Sequence, residues 1–319
     1  MLSLLKTSLT FIFLTFLSIS LSAQPGFQEK EISLETGSGT LYGTLTLPAD
    51  ANSKTPVSLL ISGSGPTDRD GNNPIMTNNS LKMLAHQLAE NGIASLRYDK
   101  RGIGESSQAM SSEQDLRFED YIQDAVEWVA KIKQDLELGP LNVIGHSEGS
   151  LIGMKAALEA DVAKFVSLAG PAQSGDVIIR EQLKDQPGAI KEPSYQILDS
   201  LAAGDTVTNV NSMLYSLFRP SVQPYLISWF AYEPQQVISQ LEIPVLIIQG
   251  TTDFQVSVAQ GQMLAKAAPQ SRLMIIEGMN HILKKAPAQK TMNAKTYNQP
   301  NLPLVDEAVT VIVNFLQEP

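Results

Sequence analysis

The chain has 319 residues, of which 43% are hydrophobic and 18% charged, a balance that suits a globular protein with a sizeable core. Its formal net charge of −10 argues against nucleic acid or an anionic membrane surface as a partner. The absence of cysteine excludes disulfides and a cysteine-linked lipid anchor.

Residues 1–23 predict a signal peptide. Lys6 supplies the only charge before Glu29, and the apolar run Leu9–Leu21 is too short for a comfortable membrane span. Ala23 offers a small residue at the cleavage point. We therefore expect a secreted or periplasmic protein without stable membrane insertion after cleavage. The alternative is an uncleaved N-terminal anchor.

Strands and helices alternate along most of the chain, which indicates a parallel sheet with helices on both faces. The predicted strands are Glu31–Leu34, Thr40–Leu47, Val57–Ile61, Ile93–Tyr98, Leu141–Ile144, Lys164–Ala169, Pro244–Gly250 and Arg272–Ile276. The predicted helices are Leu81–Leu88, Phe118–Leu138, Ser150–Ala160, Val258–Ala268 and Leu304–Leu316. Residues 284–303 are polar and predict a surface loop.

Residues 171–240 break this alternation. The stretch contains helical patches and a cluster of aromatic residues, which are Phe218, Tyr225, Trp229, Phe230 and Tyr232. These side chains could line a substrate pocket or pack the stretch onto the rest of the protein. We include Phe218, Trp229 and Phe230, together with Gly63, among the candidate substrate-binding residues.

The most informative stretch is Gly-His-Ser-Glu-Gly at residues 145–149. The pattern G-x-S-x-G between a strand and a helix is the nucleophile elbow, a sharp turn that lifts the serine hydroxyl clear of the sheet. Glycines flank the serine because the helix backbone passes close to the strand. Ser147 is therefore the candidate nucleophile.

A serine nucleophile needs a base within hydrogen-bond reach, and only three histidines are available. His86 falls inside a predicted amphipathic helix, and His146 lies on the opposite side of the elbow strand from the Ser147 hydroxyl. His281 follows the last predicted strand, where catalytic groups gather in open α/β sheets. The sequence therefore favours His281 as the base.

The orienting acid is expected to follow the penultimate strand. Asp253 lies there, and the resulting chain order of Ser147, Asp253 and His281 is typical of one large hydrolase fold. Asp253 could instead cap the next helix, and Glu277 is a weaker alternative acid.

The tetrahedral intermediate needs N–H donors aimed at its oxyanion. One candidate is the backbone N–H of Glu148, and the other lies in the Ser-Gly-Ser-Gly loop at residues 62–65, where we favour Ser64 over Gly63 or Gly65. Three scattered histidines do not make a metal site, and the glycine-rich loops lack nucleotide-binding spacing, so no metal or cofactor is expected.

These motifs together resemble the α/β-hydrolase superfamily. Residues 62–72 (Ser-Gly-Ser-Gly-Pro-Thr-Asp-Arg-Asp-Gly-Asn) are similar to a loop of bacterial carboxylesterases related to serine aminopeptidases and dienelactone hydrolases. The resemblance implies a mostly parallel eight-stranded sheet, formed by residues 24–170 and 241–319, with a helical cap inserted at 171–240. The usual hydrolase has His-Gly before its oxyanion donor, whereas this chain has Ser62-Gly63.

The expected function is hydrolysis of carboxylic esters, with a short acyl group, through an acyl-enzyme intermediate. A serine aminopeptidase or dipeptidyl peptidase would share the machinery but would need a cap carboxylate, such as Glu181, Glu192 or Glu233, for the substrate ammonium. A hydrolase-like binding protein without activity is a third alternative. The expected partner is a small-molecule ester or short peptide, and the oligomeric state is left open.

Overall fold

Residues 26–319 are described by a computed structural model, and eight strands within that range form one sheet. The strands are β1 (Phe27–Thr36), β2 (Gly39–Pro48), β3 (Val57–Ile61), β4 (Ala94–Tyr98), β5 (Leu141–His146), β6 (Lys164–Leu168), β7 (Val245–Gly250) and β8 (Arg272–Ile276). The predicted signal peptide, residues 1–23, lies outside the described residues.

The strand order is β1-β2-β4-β3-β5-β6-β7-β8. The pairs β1–β2 and β2–β4 are antiparallel, and every later pair in this order is parallel. This confirms the prediction of a mostly parallel eight-stranded sheet. The carboxyl ends of the parallel strands meet at one edge, so loops that are distant in sequence are brought together there.

The strands are connected mainly by helices. The α-helices are α1 (Ser80–Glu90), α2 (Phe118–Asp135), α3 (Glu148–Glu159), α4 (Gly175–Leu183), α5 (Gly188–Ala202), α6 (Tyr215–Phe218), α7 (Gln223–Phe230), α8 (Pro234–Ile238), α9 (Val258–Ala267), α10 (Lys290–Ala294) and α11 (Asp306–Gln317). Short 3₁₀ helices cover Gly104–Ala109, Glu113–Asp115, Ser212–Leu214, Pro220–Val222 and Lys295–Asn298.

Two hydrophobic cores lie on the two faces of the sheet. Successive side chains of a strand point to opposite faces, so Leu59 and Ile61 of β3 enter one core and Leu60 enters the other. The first core includes buried side chains of α2 and α3, and the second includes those of α1 and α11. Because both faces are covered, β3 is buried along its whole length, as its apolar sequence predicts.

The helical segment between β6 and β7, residues 171–240, contains α4 to α8, and we call it the cap segment. Its aromatic side chains pack against α2: the Trp229 ring stacks on Phe118 with centroids 6.3 Å apart. The limits of the cap segment as a separate unit stay a prediction. No helix within residues 26–319 has the length and apolar character needed to cross a membrane.

The prediction of a surface loop at residues 284–303 was wrong in part: most of these residues are exposed, but the stretch is not a loop throughout. The stretch includes α10 and a 3₁₀ helix, and Lys284, Asn293 and Thr296 are buried. Asn280 donates to the Asn293 and Thr296 side chains, and Lys284 donates to the Gln299 carbonyl at 2.7 Å. Polar side chains can be buried here because they hydrogen-bond to one another and to backbone, a pairing that the sequence pattern does not reveal.

Candidate active site

Ser147 lies in the sharp turn between β5 and α3. Its backbone has φ 55° and ψ −123°, a conformation that costs energy for a residue with a side chain. A Cβ at Gly145 would collide with the Gly149 carbonyl, and one at Gly149 would collide with the Ile61 carbonyl, so both flanking positions require glycine. The Ser147 N–H donates to the Leu168 carbonyl of β6 at 2.9 Å, which anchors the turn to the sheet.

His281 and Asp253 meet at the same edge of the sheet. His281 Nδ1 lies 2.8 Å from Asp253 Oδ2, and both side chains are almost fully buried. When Nδ1–H donates to the carboxylate, a neutral imidazole is left with Nε2 as an acceptor. The pair therefore has the tautomer that a general base requires.

Asp253 is an ionised carboxylate although its side chain is buried. Burial would raise its pKa, but the positive charge of His281 when that ring is protonated, the hydrogen bond with it, and the N–H groups of Val256 and Gln255 hold that pKa below its ordinary value. Those two N–H groups donate to Oδ1 at 3.0 and 2.8 Å. Ser257 takes the N-cap position of α9, so the alternative that Asp253 caps this helix is wrong. Glu277, the other candidate acid, is exposed.

His146 supports the backbone of His281. Their ring centroids are 4.8 Å apart, and His146 Nε2 lies 2.7 Å from the His281 carbonyl oxygen. Burial, together with the neighbouring His281, lowers the pKa of His146 to about 3, so its neutral ring donates this bond. His86 is remote, since it contacts Glu29 of β1 at 3.0 Å.

The loop after β3 passes directly over the elbow. A methyl group built at Gly63 would lie 3.1 Å from Ser147 Cβ. Ser64, Ser147 and Glu148 all border one cavity. Ser62 Oγ donates to the Thr67 carbonyl at 3.1 Å and Thr67 Oγ1 donates to the Ser64 carbonyl at 2.9 Å, so the loop is braced from within.

The charged part of this loop is tied to β4 and the residue that follows it. The Arg69 N–H donates to Asp99 at 2.7 Å, and Arg97 donates to Asp70 at 2.7 Å. Burial raises the pKa of Asp99, although its hydrogen bonds from the Arg69 and Glu105 N–H groups oppose this. The loop that supplies the candidate oxyanion donor is thus fixed to a central strand.

The cavity beside Ser147 has a volume of about 600 Å³ and a mainly apolar lining. Its wall combines the core with the cap segment. Its aromatic lining residues are Tyr121, Tyr225 and Trp229. At the wall formed by the cap segment, Arg219 binds Glu113 through two nitrogens, and Ser221 donates to the same carboxylate.

Of the four predicted substrate-binding residues, one borders the cavity and three do not. Trp229 borders the cavity, whereas Phe218 and Phe230 are buried without bordering it. Phe230 packs on Trp229 with ring centroids 5.9 Å apart. Gly63 contacts the elbow and is not part of the cavity lining.

The sequence assigned no role to Lys100, a residue that borders the cavity together with Ser147. Lys100 and Glu148 form an ion pair of 2.8 Å that is 1% exposed on each side. Arg101, which also borders the cavity, pairs with Asp124 of α2. No spacing signal predicts the contacts of Lys100, since its partners are Gly63 in the loop after β3 and Glu148 at the start of α3. Within residues 26–319 no cluster of histidine and acidic side chains could hold a metal ion.

The chain is similar to several known hydrolases. The family model described as serine aminopeptidase, S33, matches residues 76–192. The esterase EstD of Thermotoga maritima is 26% identical over 278 residues, which cover 83% of this chain and 62% of that protein. The chain thus spans less than two thirds of that relative. The (E)-2-((N-methylformamido)methylene)succinate hydrolase of Acinetobacter baylyi is 23% identical over 207 residues, which cover 61% of this chain and 76% of that protein.

Among solved structures, Est1E from Butyrivibrio proteoclasticus with bound ferulic acid has a TM-score of 0.62 at 18% identity, covering 90% of this chain and all of its own. The Pyrococcus furiosus esterase Pf2001 has a TM-score of 0.58 at 17% identity and covers 91% of this chain and 90% of its own. These structures show the fold. The chain thus has the α/β-hydrolase fold and is similar to esterases and to hydrolases of the serine aminopeptidase type.

Proposed function

We propose that this protein is a serine hydrolase that cleaves carboxylic esters. The observation that carries the proposal is the 2.8 Å contact between His281 Nδ1 and Asp253 Oδ2 at the sheet edge where Ser147 occupies its strained turn. An apolar cavity opens beside Ser147, which suits an acyl group. The esterase relatives support the same class of reaction.

In the proposed reaction, Ser147 Oγ attacks the ester carbonyl while His281 Nε2 accepts its proton. Asp253 holds the imidazole in the required tautomer. The N–H groups of Glu148 and Ser64 bind the oxyanion of the tetrahedral intermediate. The alcohol leaves with the proton from His281, and a water activated by the same histidine then hydrolyses the acyl-enzyme.

The carboxylates around the cavity favour an ester over an N-terminal peptide as substrate. Glu113 and Glu148 border the cavity, but Arg219 pairs with the first and Lys100 with the second. The hydrogen bond from Arg219 lowers the pKa of Glu113, so this carboxylate is ionised and already paired. No cavity carboxylate is therefore left without a cation to receive a substrate ammonium group.

The three carboxylates named from the sequence for that role do not serve it. Glu181, Glu192 and Glu233 all belong to the described part of the chain, and none of them borders the cavity. An aminopeptidase or dipeptidyl peptidase therefore ranks second, and a non-catalytic binding protein third.

The volume of the cavity bears on the length of the acyl group. A short acyl group was expected from the sequence, but the cavity of about 600 Å³ offers more volume than an acetyl or butyryl group fills. A small-molecule ester remains the proposed partner. A secreted or periplasmic location remains a proposal that rests on the sequence of residues 1–23.

The test is a hydrolysis screen on protein lacking residues 1–23, run beside Ser147→Ala. It pairs p-nitrophenyl esters from acetyl to dodecanoyl with aminoacyl- and prolyl-nitroanilides. We expect turnover of esters that Ser147→Ala lacks, with the best acyl length reporting the usable depth of the cavity. Higher efficiency on the anilides would replace the esterase proposal with a peptidase. Failure of a fluorophosphonate to label folded protein at Ser147 would favour the non-catalytic alternative.

A further inference from the structure

The peptide unit between Gly63 and Ser64 carries two relevant groups. One is the Ser64 N–H, the proposed second oxyanion donor, and the other is the Gly63 carbonyl. No peptide bond is cis among the residues that the structure describes, and in a trans peptide the C=O and N–H point in opposite directions. A group that fixes the Gly63 carbonyl therefore also fixes the direction of the Ser64 N–H.

Lys100 is that group. Its Nζ donates to the Gly63 carbonyl at 2.7 Å and to Glu148 Oε2 at 2.8 Å. The position follows from the strand order, since Lys100 comes two residues after β4 and Gly63 two residues after β3, the neighbouring strand. Nζ also lies 4.8 Å from the Tyr121 ring centroid, a cation–π distance. The ammonium is thus surrounded by protein groups.

The ion pair connects both halves of the proposed oxyanion hole. Glu148 supplies the first donor through its own backbone N–H and holds Lys100 through its side chain. Its second carboxylate oxygen accepts from the Tyr225 hydroxyl on α7 of the cap segment. Burial, with the Glu148 charge, keeps the pKa of Tyr225 well above its ordinary value, so this hydroxyl stays a donor.

The positive charge of Lys100 also polarises the Gly63–Ser64 peptide. A cation at the carbonyl oxygen polarises the peptide and makes its N–H a stronger donor. This effect is large only where water does not screen it, and the side chains of Lys100 and Glu148 are each 1% exposed.

We propose that Lys100 is a positioning residue that aims the Ser64 N–H at the oxyanion, and that Glu148 holds Lys100 in place and links it to the cap segment. This inference rests on the proposed ester hydrolysis. Lys100 acts through the Gly63–Ser64 peptide, so it should contribute to the transition state and little to substrate binding.

The test is the variant Lys100→Met, assayed on the best p-nitrophenyl ester. Loss of a single oxyanion donor costs on the order of 10²–10³-fold in kcat, so we expect kcat to fall by about 10²-fold. KM should stay within about threefold, because ground-state binding is not affected. The affinity for an aryl trifluoromethyl ketone, which forms an oxyanion on Ser147, should fall in parallel with kcat.

Lys164→Met is the matched control. Lys164 is also a buried lysine whose Nζ donates to a backbone carbonyl, that of Phe315, at 2.8 Å. It begins β6 and so lies at the sheet edge opposite to the site. This variant should keep its kcat within about twofold, so that a loss in Lys100→Met cannot be assigned to removal of a buried ammonium as such.

Lys100→Met leaves Glu148 buried without its cation, which should lower the melting temperature. The double variant Lys100→Met/Glu148→Gln removes both charges and should show the same loss of kcat with a smaller loss of stability. A folded variant with unchanged kcat, or one that loses efficiency through KM alone, would overturn the positioning role. Retained turnover in Ser147→Ala would instead overturn the proposed function, so the two failures can be told apart.

Discussion

The two sides of Ser147 are built in different ways. On one side, which we call the base side, Asp253 and His281 are fixed by neutral donors and by backbone, including the His146 bond to the His281 carbonyl. On the other side, the pocket side, ion pairs join separate segments of the chain, one of them buried and one partly exposed. The pair Lys100–Glu148 lies at the elbow, and Arg219–Glu113 lies at the cavity wall.

The difference indicates that separate parts of the molecule carry out the chemistry and select the substrate. Proton transfer needs atoms held to within a fraction of an ångström, which rigid core loops provide. The cavity wall is built partly from a segment inserted between β6 and β7, which can vary without moving the base side. Substitutions on the two sides of Ser147 should therefore have different consequences.

Ser147→Ala and His281→Ala should each reduce kcat by on the order of 10⁶-fold, because nucleophile and base act as a unit. The double variant should be no worse than either single variant, which is checked by steady-state assay with melting temperature as the control for folding. Additive losses would show that the two residues do not act in one step.

Asp253→Asn should reduce kcat by about 10⁴-fold, because the amide stabilises the wrong imidazole tautomer. The fold should persist, since the amide oxygen can still accept from the Gln255 and Val256 N–H groups. The matched control is Glu277→Gln, which changes the exposed alternative acid and should keep wild-type kcat. A larger loss in Glu277→Gln than in Asp253→Asn would reverse the assignment of the acid.

Trp229→Ala should change the acyl preference more than the rate on the smallest ester. The indole borders the cavity, so its removal should shift the best p-nitrophenyl ester to a bulkier acyl group, with KM for long esters lowered by about 3–10-fold. Phe230→Ala is the control, since Phe230 is buried without bordering the cavity. It should lower the melting temperature and leave the order of substrates unchanged. If Trp229→Ala prefers the same esters in the same order as the wild type, the cap segment does not set the substrate preference.

The smallest effect concerns Lys284, which is buried against the carbonyls of Asn78 and Gln299. Desolvation lowers its pKa from 10.5 to about 8. Between these values the unfolded state binds more protons than the native state, so this lysine makes the free energy of unfolding rise with pH. Below pH 8 the lysine is charged in both states, and its full burial cost is present.

Lys284→Met should lack this rise. The melting temperature of the wild type relative to Lys284→Met should therefore increase by about 2–4 °C between pH 7 and pH 10. Lys164→Met, assayed by the same thermal melts, is the control. It gives the pH dependence of the melting temperature when a different buried lysine is removed. A constant difference across this pH range would mean that Lys284 does not titrate there.

The α/β architecture could be predicted from the sequence, and the three residues proposed for the reaction were chosen from it. Both results depend on local patterns: apolar runs mark buried strands, and Gly145 and Gly149 mark a turn in which no side chain fits. Because the chain has only three histidines, the position of His281 after the last predicted strand was enough to choose it as the base. The 2.8 Å contact with Asp253 then follows from adjacent parallel strands ending at one edge.

The surroundings of those residues depend on tertiary contacts. Lys100 and Gly63 lie in two loops and Glu148 is the first residue of α3, so their contact depends on the order β4-β3-β5 in the sheet. The sequence pattern also did not separate Trp229, which borders the cavity, from Phe230, which does not. Adjacent residues on a short helix differ in what they face by the rotation of that helix, and packing against the core sets this rotation.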